Sequence, residues 1–221
     1  MKFETRLVIA TAALFFAGCA TETSRSVEAP RVQSAVRAYS GPKATIVVGK
    51  FENKSAFLRG IFSDGIDRLG GQAKTILITH LQQTGRFSVL DRENMDEIKR
   101  EASLAGSEQK VKGAAFAISG DVTEFGRKET GDVQLFGIMG AGKSQVAYAK
   151  VSLYVVDVAS SEVVGSVQGA GEYALNNREV LGFGGTASYD ATLNGKVLDL
   201  AVREAVDKLT LEFERGTWLQ K

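Results

Sequence analysis

Gln145-Val-Ala-Tyr-Ala-Lys-Val-Ser-Leu-Tyr-Val-Val156 decides how this chain folds. Val151, Leu153 and Val155 share one parity, while Ser152 and Tyr154 share the other. That period of two is what a strand with one covered and one open face requires. The stretch also settles the reading of its own upstream neighbour. Gly137-Ile-Met-Gly-Ala-Gly142-Lys143-Ser144 matches the phosphate-loop pattern G-x-x-x-x-G-K-[ST] letter for letter. Such a loop needs a helix directly after it, whose N-terminal N–H groups hold the phosphates. A period-two segment follows instead. Asp157, at the end of a Walker-B-like string, comes only 13 residues after Ser144, too soon for a helix and a crossover. The glycines therefore read as a hairpin tip, the loop as a decoy, and no cofactor is expected.

Outward from this strand, Arg127–Thr192 reads as two long hairpins with polar or glycine-rich tips, spanning about 122–156 and 163–192. Val133–Ile138 with Val146–Val156 forms the first, and Val163–Leu175 with Leu181–Tyr189 the second. Val167, Gly169, Gly171, Tyr173 and Leu175 share one parity, opposite Glu172 and Asn176. Membrane strands need only about 9–11 residues and give weak signals. Pattern alone favours soluble hairpins. Tyr148, Tyr173, Phe183 and Tyr189 are candidates for an aromatic girdle or for ordinary cross-strand pairs.

The rest of the body alternates strand and helix. Ala44-Thr-Ile-Val-Val48 is a buried-strand run. From Ser63, Ile66, Leu69, Ala73, Ile76, Leu77 and Leu81 fall on one helical stripe, with Gly85 at C′. Gly70-Gly71 either delays the regular helix to Gln72 or permits close packing. Phe87–Leu90 is a short strand. Asp91 is the expected N-cap of a helix carrying Met95, Ile98 and Ala102 and stopped by Gly106. Ala114–Phe125 is a further strand, and Asn194–Phe213 the last helix. The sum is a β-α-β-α-β body closed by a helix: an α/β (α+β) layer structure with a mixed sheet flanked by helices.

The N-terminus has a different grammar. Lys2 and Arg6 precede an apolar run, Leu7–Ala17, and then Phe16-Ala17-Gly18-Cys19. A run this short, ending in small residues, reads as a signal peptide over 1–18 and not as a spanning helix of about 20 residues. The chain's single cysteine, Cys19, stands at the cleavage point, where acyl chains such as palmitate would attach. At roughly 0.8 kcal/mol per buried CH₂, several chains make a lasting anchor. An ordinary signal with a chance cysteine is the alternative. Ala20, where an aspartate would retain the protein at the inner membrane, favours the outer one. Residues 19–43, polar and holding both prolines, read as a tether, leaving 44–221 as the folded domain in the periplasm.

Composition removes whole classes of function. The 221-residue chain carries a formal charge of +1, and loss of Lys2, Arg6 and Glu4 with the signal brings it to zero. There is no electrostatic case for nucleic acid. His80 is the sole histidine, so no histidine metal cluster can form and only His80 could serve a Ser–His–Asp triad; beside Leu77 and Leu81 it reads as a packed helix residue. With Cys19 lipidated there is no thiolate site. Asp91, Glu93, Asp96, Glu97 and Glu101 read as a solvated helix face. The expectation is a protein without enzymatic activity.

Several strings in order resemble the curli-secretion lipoprotein family, of the CsgG and holdfast-anchoring HfaB type. They are Ile61-Phe62-Ser63, Arg86-Phe87-Ser-Val-Leu-Asp91-Arg92, Gly120, Phe136-Gly137-Ile138, Val155-Val-Asp-Val158 and Arg215-Gly216-Thr217-Trp218. The resemblance covers nearly all of 44–218, plus the residues before Cys19. It implies a homo-oligomeric ring of periplasmic α/β domains in which each copy gives two hairpins to one shared outer-membrane barrel. A closed barrel leaves no unpaired strand edge in lipid. The resemblance further implies a channel for secreted, unfolded fibre subunits, or an anchor for the fibre. Its constriction would be lined by Phe57, Ile61 and Phe62. Phe57 stands where the family has tyrosine and Ile61 where it has asparagine, which would make a more apolar constriction, able to gate by dewetting. Packing of these three residues against the domain core is the alternative. A second reading of the whole chain is a periplasmic outer-membrane lipoprotein that serves or activates another envelope protein.

Overall fold

The computed structural model describes residues 29–57, 65–133, 141–179 and 193–219. Strand β1 (Ala44–Asn53) leads through a loop to helix α1 (Arg68–Gln83), then β2 (Phe87–Leu90) and helix α2 (Met95–Leu104). Three long strands follow, β3 (Phe116–Val133), β4 (Ala141–Asp157) and β5 (Val163–Glu179), and helix α3 (Leu193–Glu214) closes the chain with a final 3-10 turn at Thr217–Leu219. The sheet order is β2-β1-β3-β4-β5. β1 runs parallel to β2 and β3, while β3, β4 and β5 are antiparallel neighbours. This is the mixed α/β sheet the pattern predicts.

One face of the sheet carries the core. Ile46, Ile118, Val122, Val151, Leu153 and Val155 are fully covered, as are Leu77 and Leu81 of α1 and Val197, Leu198, Val202 and Leu209 of α3. α1 lies on β1, α3 lies on β4 and β5, and the two helices touch each other. Two register shifts, at Val48/Phe51 between β1 and β3 and at Val122/Glu124 between β3 and β4, swap the parity of the strands. After them Phe51 and Phe125 point into the core instead of Lys50 and Glu124, which is what a bulge accomplishes.

Glycine sets how closely α3 can lie. A Cβ on Gly169 would sit 2.5 Å from the backbone nitrogen of Ala205 and nearer still to the carbonyl of Ala201. On Gly171 it would meet the Val197 carbonyl at 2.7 Å. The helix backbone rests directly on the strand at both residues.

The structure redraws several sequence-based boundaries. Ile66 lies outside α1 and is largely exposed. The helix starts after Asp67, whose carboxylate accepts from Gly70 N–H at 2.7 Å and from Asn53 N–H at 2.7 Å, joining the end of β1 to the first turn. Gly70 is buried there, where a Cβ would press on the Phe51 carbonyl at 2.7 Å, so Gly70 serves close packing, Gly71 is exposed, and the pair does not delay the helix. Gly85 ends α1 with φ +70 as expected. Asp91 is not the N-cap of α2. Its carboxylate accepts from the N–H groups of Glu93 and Asn94 at 2.9 and 3.2 Å, forming a turn that delivers Asn94 to the cap position. α2 buries no residue.

The two expected hairpins are, among the described residues, one three-stranded meander. Ala114–Phe125 and the Val133 arm belong to one continuous strand, β3, paired with β4 from Phe116↔Asp157 to Val133↔Ala141. β5 pairs with β4 along its whole length, from Val156↔Val163 to Ala141↔Glu179. Leu181–Tyr189, the arm expected opposite β5, lies outside the described residues. Alternation identifies the covered face of a strand but not its partner, and β4 uses both of its edges.

Candidate functional site

A buried arginine holds the entry of the chain to the body. Arg86 follows Gly85 at the end of α1, and its guanidinium is 2% exposed. Nε and Nη2 donate to one oxygen of Glu214 at 2.9 and 2.8 Å, while Nη1 donates to the carbonyls of Ser34, Arg37 and Thr84 at 2.8, 2.9 and 2.6 Å. The ring of Tyr39 covers it at 4.9 Å. Asp207 on α3 accepts from the N–H groups of Gln33 and Ser34 at 3.0 and 2.8 Å, capping a 3-10 turn at Gln33–Val36, and Val32 is buried in the core. The segment expected to be tether through residue 43 is thus held to the body from Val32 and bonded to α3 from Gln33. Removing one member of a buried charge network of this kind costs about 3–5 kcal/mol. The sequence offered only an arginine inside the Arg86-Phe87 string; Asp207 and Glu214 carried no signal, since their partners lie more than 120 residues away.

At the other end of β1, Phe57 is half-buried and its ring packs tilted against that of Phe125, with centroids 4.6 Å apart. The loop leading to it is built by Asn53, whose Nδ2 donates to the Phe57 carbonyl at 2.7 Å and whose Oδ1 accepts from Ser55 Oγ at 2.6 Å. Among the candidate constriction residues, Phe57 is therefore packed on the core. Ile61 and Phe62 lie outside the described residues, as does Cys19.

His80 is almost fully covered between α1 and α3, with Nε2 2.7 Å from Asp199 Oδ1 and Nδ1 3.1 Å from Gln83 Oε1. Asp199 also forms an ion pair with Arg203, its Oδ2 2.8 Å from Nε. The histidine ties two helices together and is the packed helix residue expected. Gly142, Lys143 and Ser144 of the phosphate-loop string stand inside β4, paired with Asp132, Gly131 and Thr130. No helix N-terminus follows them.

Beyond Phe125 and Ala147, the last buried residues of β3 and β4 among those described, the strands run on together. β3 continues for eight residues to Val133, roughly 26 Å at about 3.3 Å per residue. The register sorts this extension into two sets. Lys128, Thr130 and Asp132 align with Val146, Ser144 and Gly142, and with Ala174, Asn176 and Arg178. Arg127, Glu129 and Gly131 align with Ala147, Gln145 and Lys143, and with Tyr173, Leu175 and Asn177. Both sets are polar. A lipid-facing strand row has to be apolar over about 25 Å, which neither of these two rows is. Among the described residues no helix is long and apolar enough to cross a membrane, which says nothing of strands.

Fold and extension together define an α/β body from which an antiparallel meander projects past the core. The chain belongs to the CsgG family, described as curli production assembly/transport component CsgG, whose model matches residues 30–221. It is 59% identical over 215 residues to NMB1126/NMB1164 of Neisseria meningitidis serogroup B (strain ATCC BAA-335 / MC58), a protein provisionally named a lipoprotein; the match covers 97% of this chain and 96% of that one. Among solved structures, the chain is similar to the PelC dodecamer from Paraburkholderia phytofirmans (16% identity, 76% of this chain and 87% of that one, TM-score 0.36). It is also similar to lipoprotein GNA1162 from Neisseria meningitidis (13%, 78% and 99%, TM-score 0.38). Likenesses this distant carry nothing about assembly.

Proposed function

We propose that this chain is the subunit of an outer-membrane, lipid-anchored oligomer that exports or anchors unfolded fibre subunits, without hydrolysing nucleotide. Cys19 is the anchor, the body faces the periplasm, and copies pair through the projecting meander into one closed ring. The observation that carries the reading is the unbroken pairing of β3 with β4 past Phe125 and Ala147 as far as Val133↔Ala141. Long strands at the end of a sheet gain when other strands pair with their open edges. Family membership supports the transport role. The constriction of Phe57, Ile61 and Phe62 belongs to the same proposal. In it, Phe57 packed on Phe125 is the fixed root of the loop, and Ile61 and Phe62 are the residues that reach the pore.

The polar rows of the extension favour a second reading, a periplasmic lipoprotein that serves another envelope protein through a water-borne meander. The test is the full chain with Cys19→Ser. A channel subunit remains detergent-dependent and purifies as a large particle that conducts ions in planar bilayers. A small species, soluble without detergent and without conductance, refutes the channel and leaves the accessory role.

A further inference from the structure

Among the described residues β5 is the outer strand of the sheet, so alternate residues turn their N–H and C=O groups away from β4. Two of these outward groups are already occupied. Ala170 N–H donates to Glu204 Oε2 at 2.5 Å, and Lys208 Nζ donates to the Gln168 carbonyl at 2.8 Å. Glu204 and Lys208 also pair with each other at 2.9 Å, one turn apart on α3. The Ala170 N–H, before any charged neighbour, holds the Glu204 carboxyl below its ordinary range, the mark of a bond made to the charged form.

A strand adding to this edge must take the same two backbone groups and strip water from both charges. Hydrogen bonds in which one partner is charged are stronger than neutral ones, and charged side chains at a sheet edge are a known means of keeping other strands away. We infer that Glu204 and Lys208 guard the body half of the β5 edge, confining strand pairing with a second copy of this chain to residues beyond Ala170. The register between β4 and β5 is unbroken from Val155↔Gly165 to Ala141↔Glu179. Alternation therefore makes Glu172 and Ala174 the next residues to present outward N–H groups. This rests on the assembly reading above and adds where copy-to-copy pairing starts.

Residue-resolved hydrogen–deuterium exchange on the detergent-extracted full chain tests it, as monomer and as assembly, with and without Glu204→Ala/Lys208→Ala. In the unaltered chain, the Ala170 amide exchanges slowly in both forms, and those of Glu172 and Ala174 slow only on assembly. In the double variant, Ala170 speeds up roughly tenfold or more in the monomer. In its assembly, protection spreads back to Ser166 and Gln168. Unchanged Ala170 exchange in the variant, or assemblies of identical protection, overturns the guard. If Glu172 and Ala174 never gain protection, the assembly reading fails, while the Ala170 result still judges the contact. Glu204→Gln, which keeps an acceptor, should retain most of the Ala170 protection and covers the case of a double variant that does not fold.

Discussion

Replacing Gly169 by alanine should be among the most damaging single-methyl changes in this protein. The added Cβ falls 2.5 Å from the Ala205 nitrogen and closer to the Ala201 carbonyl, where ordinary contact begins near 3.4 Å. Both neighbours are backbone of α3, so no side chain can swing aside. The helix has to retreat by about 1 Å, along a face that buries Val197, Leu198, Ala201, Val202, Ala205, Val206 and Leu209. Overpacking of this kind costs about 1–3 kcal/mol and sometimes more. For a domain of this size that lowers Tm by roughly 2–12 °C. The single tryptophan makes the assay simple: Trp218 is 4% exposed and lies within ring-stacking distance of Phe87, Phe116 and Phe213 at 5.7, 5.4 and 5.3 Å. Its emission during a thermal ramp reports the closing of α3 on the sheet. Gly71→Ala is the matched control. Its Cβ meets nothing within 4 Å on an exposed helix position, so it should stabilise by up to about 1 kcal/mol. A Gly169→Ala protein melting within about 2 °C of the parent refutes the close-contact account.

Arg86→Ala should free the strap before it unfolds the domain, seen as rapid tryptic cutting at Arg37 and Lys43, and should lower stability by about 3–5 kcal/mol; Arg86→Lys should recover little, because an ammonium cannot hold Glu214 through two nitrogens. Glu204 contributes stability that is present above its unfolded value of 4.5 and is lost as pH falls through its lower folded value. Acid melts of Glu204→Gln should therefore show a shallower loss below that point than the parent, and parallel curves would remove the Ala170 bond from consideration. Phe57→Ala should cost roughly 1–3 kcal/mol, below the roughly 3–5 kcal/mol of a fully buried ring, since the ring is half-buried; no change in chemical denaturation together with altered conductance would make it a pore residue and not a packed root. Cys19→Ser should release the protein from sedimented membranes to the extent that acyl chains alone hold it there.

The fold was readable where a residue's role depends on its near neighbours. Val151, Leu153 and Val155 announce a covered strand face, and Leu77, Leu81 and Gly85 announce a helix and its stop. Long-range pairing was not readable. The alternation around Tyr173 is the same whether β5 meets β4 or Leu181–Tyr189, so it did not announce the β4–β5 pairing that the described residues make. Ile66 fits the helical stripe of α1, yet Asp67 captures both Gly70 and Asn53 and starts the helix after it. Arg86 looked like one residue of a string because its four partners come from the strap, the end of α1 and the end of α3. Gly169 and Gly171 stood in the right parity, but only the passage of α3 over them explains the missing side chains. Of the candidate site residues, Phe57 was legible as aromatic and loop-borne, and its packing on Phe125 follows from a bulge that no local pattern encodes.

Assembly requires that copies of this chain join through strands that outrun their own core. Electron microscopy of the full-length protein, extracted from membranes in mild detergent, measures that directly. Closed rings with a central opening, and the β3–β4–β5 extensions side by side along its wall, are the predicted result. Single bodies of one chain's mass, each with an isolated extension, would contradict it.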